Sequence, residues 1–187
     1  MQFAQQVGAV GLQASKAYND AQASLDLHLV LTPARLATAE GTDASLQVLA
    51  RLSELTSAHR DMFAKFVTAA VEHLTAAVGE LPTDRAAEYR DGMAASINWN
   101  LNAQADFYRN REEWIAAATG ICELVQSHRG SITFTDDGVV FSNDEALRAF
   151  ESLVSAADRI HHLEVEAANE RLARLTRSMA TLGARES

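Results

Sequence analysis

Apolar positions recur three and four residues apart along most of this 187-residue chain. That spacing puts them on one face of an α-helix. Four long segments carry it. The first covers about 3–31, with Val7, Val10, Ala14, Tyr18, Ala21, Leu25 and Leu29 as its stripe. Pro33 and Gly41 interrupt the pattern over 32–42, where 35–39 reads as a single helical turn. The second helix is expected to start at Asp43 or Ser45, either of which can cap it, and to run to Val78. Gly79 and Pro82 then stop it. Thr83 can cap the third helix, which runs to about His128 and closes at Gly130. Its stripe includes Ile97, Leu101, Tyr108, Ile115, Ile121 and Val125. Ser142 and Glu145 have the spacing of a capping box for the fourth helix. That helix carries Phe150, Val154, Ala157, His161, Val165, Ala168, Leu172, Leu175, Met179 and Leu182 on one face.

Residues 131–141 break the helical period. Ile132-Thr133-Phe134 and Val139-Val140-Phe141 alternate in the manner of strands around Asp136-Asp137-Gly138. Asp-Gly between alternating hydrophobics predicts a β-hairpin. The fold class is therefore all-α: one domain over 1–187, an elongated antiparallel bundle of four long helices with a short hairpin between the third and fourth. The hairpin reads as a connector that caps the bundle end. The competing readings are an edge strand that recruits a partner and the tongue of a pore-forming toxin, which its short arms and two aspartates disfavour.

Composition narrows the function classes. The hydrophobic share is 48% but aromatics supply only 6%, so alanine packing dominates. The net charge is −9, and the densest basic stretch, Arg171, Arg174 and Arg177, follows Glu164, Glu166 and Glu170. That is a solvated helix face rather than a phosphate-binding stripe, so no nucleic-acid partner is expected. Lys16 and Lys65 are the lysines among 16 basic residues; with so much alanine, this points to a bacterial source. No apolar run is long enough for a transmembrane segment. Residues 1–5 show no signal peptide, so the default localisation is cytoplasmic, or the cell envelope or periplasm if such a segment was removed.

Candidate chemistry is sparse. His28, His59 and His161 fall on apolar faces and His73 at the edge of one. His59 and His161 are the candidates for a metal in the bundle core. A di-iron bundle needs Glu-x-x-His motifs, and the nearest match here is Asp158-x-x-His161. His161 and His162 diverge by about 100° around a helix and cannot grip one ion together. Cys122 sits on an apolar stripe, where a thiol is ordinarily inert. No P-loop, nucleophile elbow or dinucleotide fingerprint occurs. No catalytic residue and no cofactor is assigned, and the chain reads as a non-enzyme.

The third helix is expected to sit centrally. Trp99, Phe107 and Trp114 lie on more than one of its faces, while Gln104 and Arg111 lie near its apolar seam. A polar group there needs a partner, and a carboxylate such as Glu164 suits Arg111. The alternative is a partner- or ligand-binding surface on the same helix.

Residues 121–154 resemble the carboxy-terminal part of an uncharacterised family of small helical lipoproteins of the enterobacterial envelope. The shared pattern is a helix end, then Ile132-x-Phe134-x-x-x-Gly138-Val139-x-Phe141, a polar cap, and Phe150 with Leu153. The chain departs from that family in having no lipid-attachment cysteine near residue 1. The family brings no activity and no functional residues. The leading expectation is a bacterial interaction or structural protein that self-associates or binds a protein partner through its long amphipathic helices. A ligand- or metal-binding bundle and an envelope-associated protein are the alternatives.

Overall fold

The structure, a computed structural model, describes residues 2–80, 82–135 and 138–183. The order is α1 (Gln2–Ala23), a 3-10 turn (Leu27–Leu29), a short α2 (Pro33–Leu36), α3 (Ala39–Gly79), α4 (Thr83–Ser127), a second 3-10 turn (Arg129–Ser131), β1 (Ile132–Thr135), β2 (Gly138–Phe141) and α5 (Asp144–Gly183). The expected all-α bundle with one hairpin is what forms. At 1.5 Å per residue, α3, α4 and α5 are each roughly 60 Å long.

Three boundaries differ from the sequence reading. The first helix ends at Ala23 instead of near residue 31. Asp26 adopts a left-handed backbone, φ 48°, which ends helical continuation, and the Ser24 hydroxyl donates back to the Ala21 carbonyl at 2.7 Å. Leu25 and Leu29, which extend the apolar spacing, fall outside α1, and it is Leu27 and Leu31 of the same loop that pack on the buried cluster. The second correction concerns α3, which starts at Ala39 under Thr38, whose Oγ1 accepts the Gly41 N–H at 3.0 Å. Ser45 is no cap: its hydroxyl is buried and donates to the Val30 carbonyl at 2.7 Å. The third concerns α5, where Asn143 Oδ1 accepts from the backbone of Glu145 and Ala146 at 2.8 and 3.1 Å. Ser142 turns instead to the Ser131 carbonyl. Thr83 is the first residue of α4 and follows Pro82 at the N-cap position.

The long helices run antiparallel. Gln126 of α4 donates to Asp43 of α3, and Arg60 pairs with Glu112. On the other side of α4, Leu153 of α5 lies against Gly120, and Arg174 stacks over Trp99, 3.7 Å from the ring centre. So α4 is central, packed by α3 and α5. Its aromatic residues point several ways because it has two neighbours.

Among the described residues, the fully buried large apolar side chains concentrate toward the hairpin end. Val30, Leu36, Leu49, Ala118, Ile121, Cys122 and Val125 form a single buried cluster. Each fully buried Leu, Ile or Val contributes about 1.5–3 kcal/mol. Polar ties hold the 24–38 segment in place. Besides Ser45, the Arg129 guanidinium donates to the Leu36 carbonyl at 3.2 Å and to Thr42 Oγ1 at 2.7 Å.

The hairpin pairs Ile132 with Phe141 and Phe134 with Val139 in antiparallel register. Thr133 and Val140 face outward, whereas Ile132 and Phe134 pack on the buried cluster. Phe141 meets Phe150 of α5 with ring centres 5.1 Å apart. The hairpin is thus a lid on the bundle end. Asp136 and Asp137 of its expected turn lie outside the described residues.

Candidate functional site

Two regions stand apart from the packed end. The first lies halfway along the bundle. His59 of α3 is half-buried, and its Nδ1 is hydrogen-bonded to the Tyr108 hydroxyl of α4 at 2.9 Å. Tyr18 of α1 stacks on the His59 ring with centres 4.5 Å apart and shares a hydrogen bond with Thr56 at 3.3 Å. Phe107 meets Tyr18 edge-on at 5.9 Å. Burial holds His59 below the ordinary histidine value, because desolvation penalises the imidazolium. Burial likewise raises Tyr108, an effect partly offset by its hydrogen bond with Gln104. Beside this cluster, Ser15, Asn19, Gln104 and Arg171 join Tyr18, His59 and Phe107 around a cavity of about 140 Å³. All four long helices contribute to it.

The second region is the far end of the bundle, away from the hairpin. Phe63, Phe66, Val67, Ala70 and Leu74 of α3 and Ile97 and Leu101 of α4 line an open groove of about 390 Å³. On α5 the apolar stripe read from the sequence leaves the seam. Ala157 and Ile160 are buried, but Val165 and Leu172 are 46% and 63% exposed. The positions that face α4 beyond Ile160 are instead Glu164, Ala167 and Arg174. Leu74, Leu101 and Leu163 are exposed as well.

The sequence candidates fall as follows. His59 lies in the halfway cluster. His161 is exposed on α5, its ring against that of His162. Among the described residues no three His, Cys, Asp or Glu side chains come close enough to share a metal ion. His28, expected on an apolar face, is exposed in the 3-10 turn. Cys122 is buried, and desolvation together with Glu123 pushes its thiol up to about 11, so it is not a nucleophile at neutral pH. Arg111 meets Glu164 as expected, at 3.3 Å. Sequence reasoning missed the gathering of Tyr18, Gln104 and Arg171 around one cavity. The polar residue at the seam, Gln104, was its signal. No described helix is long and apolar enough to cross a membrane. No protein-family model, no curated protein and no solved structure matches this chain.

Proposed function

We propose that this is a non-enzymatic interaction protein that self-associates through the far end of its long helices. One observation carries the reading. Among the described residues the large exposed hydrophobics are Leu74 and Leu101, which line the far-end groove, Leu163, Val165 and Leu172 along α5 around Arg171, and Val140 on the hairpin. Scattered single apolar residues are ordinary on any surface, but a cluster on unpartnered helix faces marks an interaction site. The packed end supplies the stability, so the far end is free to expose a seam.

Size-exclusion chromatography with light scattering tests this. The wild type should run as a dimer or larger at micromolar concentration. Val165→Glu with Leu172→Glu should give a monomer with an unchanged circular dichroism spectrum, because both sites are exposed. A wild type that stays monomeric up to millimolar concentration overturns the reading.

A further inference from the structure

The cavity halfway along the bundle is built unlike the apolar seams around it. Among the described residues its lining holds one permanent cation, Arg171, three neutral polar side chains, Ser15, Asn19 and Gln104, and no carboxylate, with Arg171, Ser15 and Asn19 at its solvent-exposed mouth. The one acidic residue of α1, Asp20, is paired with Lys16 of the same helix. The guanidinium gives one described hydrogen bond, from Nη2 to the Ala103 carbonyl at 3.2 Å, and it has five N–H donors to offer. The rest of the described lining is aromatic: His59 packs on Tyr18, and Phe107 meets Tyr18 edge-on.

We infer that this cavity binds a small organic monocarboxylate, with the carboxylate at Arg171 and an apolar body against Tyr18, His59 and Phe107. A guanidinium matches a carboxylate in charge and in fork geometry. Ser15, Asn19 and Gln104 can each donate to an oxygen of the same group. Size sets the class. The volume of about 140 Å³ is far above the roughly 10–15 Å³ that one water needs. It is also below the roughly 300–1,000 Å³ of sites for drug-sized ligands. Charge sets the valence. His59 is held toward its neutral form by burial, so one fixed positive charge matches one negative charge. A phosphate dianion would be under-compensated, and a cation would meet no anionic side chain among the described lining residues. This inference does not depend on self-association and holds for a monomer.

The test is a titration of the full-length protein followed by two-dimensional amide NMR, with benzoate, benzyl alcohol and inorganic phosphate as probes at constant ionic strength. Benzoate should bind saturably and shift the amides of Tyr18, Gln104 and Phe107. Benzyl alcohol, the same ring without the charge, should shift them at least about tenfold more weakly. Arg171→Gln should weaken benzoate by a similar factor, whereas Arg148→Gln, an exposed arginine near the hairpin end, should leave it unchanged. Absence of saturable benzoate shifts, equal binding of the alcohol, tighter binding of phosphate, or undiminished binding in Arg171→Gln would each overturn the assignment. The benzoate and benzyl alcohol comparison on the wild type decides the matter even if the Arg171 variant folds poorly.

Discussion

Arg111 of α4 and Glu164 of α5 face each other 3.3 Å apart across the central seam, yet neither the arginine Nε nor the glutamate Oε1 has a hydrogen-bond partner among the described residues. Their side chains are only 12% and 23% exposed. Such a pair gains Coulomb attraction but loses hydration, and the two nearly cancel. Removing one member strands the other. Arg111→Met should therefore cost about 1–3 kcal/mol in urea unfolding, whereas Arg111→Met with Glu164→Leu should recover most of that loss. Additive losses in the double variant would show that the two charges are not coupled.

Gly41 lies where α3 begins, against the turn that precedes it. A Cβ there would stand 2.3 Å from the Arg35 carbonyl oxygen and 2.8 Å from Thr38 Oγ1. Backbone cannot swing aside as a flexible side chain can. Gly41→Ala should cost about 1–3 kcal/mol despite the better helix propensity of alanine. Gly79, which has open space at the other end of the same helix, is the control. Gly79→Ala should raise the melting temperature slightly while Gly41→Ala lowers it by several degrees.

Gly138 opens β2 with φ 145°, a conformation that L residues rarely adopt. No described atom lies within 4 Å of where its Cβ would be, so the cost of substitution comes from the backbone and not from crowding. Gly138→Val should destabilise the hairpin end by about 1–3 kcal/mol, and Gly138→Ala should cost nearly as much. A large difference between the two variants in thermal melts would point to sterics instead.

His59 makes stability depend on pH. Its folded value lies below the ordinary 6.5 because it is buried. As the pH falls below about 6.5, the unfolded chain takes up a proton that the folded chain resists, so acid favours unfolding. The stability is regained as pH rises through that window. Desolvation is the cause of the shift, and no neighbouring carboxylate among the described residues offsets it. The wild type should lose more melting temperature between about pH 7.5 and about pH 5 than His59→Gln does. An equal loss in both would assign the acid sensitivity to other groups.

Much of the fold was legible because local and tertiary signals agree in it. Gly79 and Pro82 stop one helix, the alternation of 132–141 makes a hairpin, and Arg111 needed a carboxylate and found Glu164. The misreadings came where a polar residue suited to a local role is claimed by a distant one. Ser45 could cap a helix but holds the Val30 carbonyl, and Ser142 could open a capping box but bonds Ser131. The 24–31 stretch keeps helical spacing at Leu25 and Leu29, but the leucines that pack on the core from this loop are Leu27 and Leu31, off that stripe. Arg171 is exposed, as a solvated basic face implies, but nothing in a one-dimensional pattern puts Ser15 beside it. The stripe on α5 misled most. It is continuous in sequence, but beyond Ile160 the face turned to α4 is a different one.

The burial of the core at one end gives a single helix two lifetimes. Amides of α3 around Leu49 and Leu52, and of α4 around Ile121 and Val125, lie inside the buried cluster or beside it and should exchange with solvent only when the whole molecule unfolds. Those near Leu74 and Leu101, on the same two helices, should exchange by local opening. The far end is held in shape by helices whose anchorage lies tens of ångströms away. It can rearrange around a bound partner without disturbing the end that keeps the chain folded.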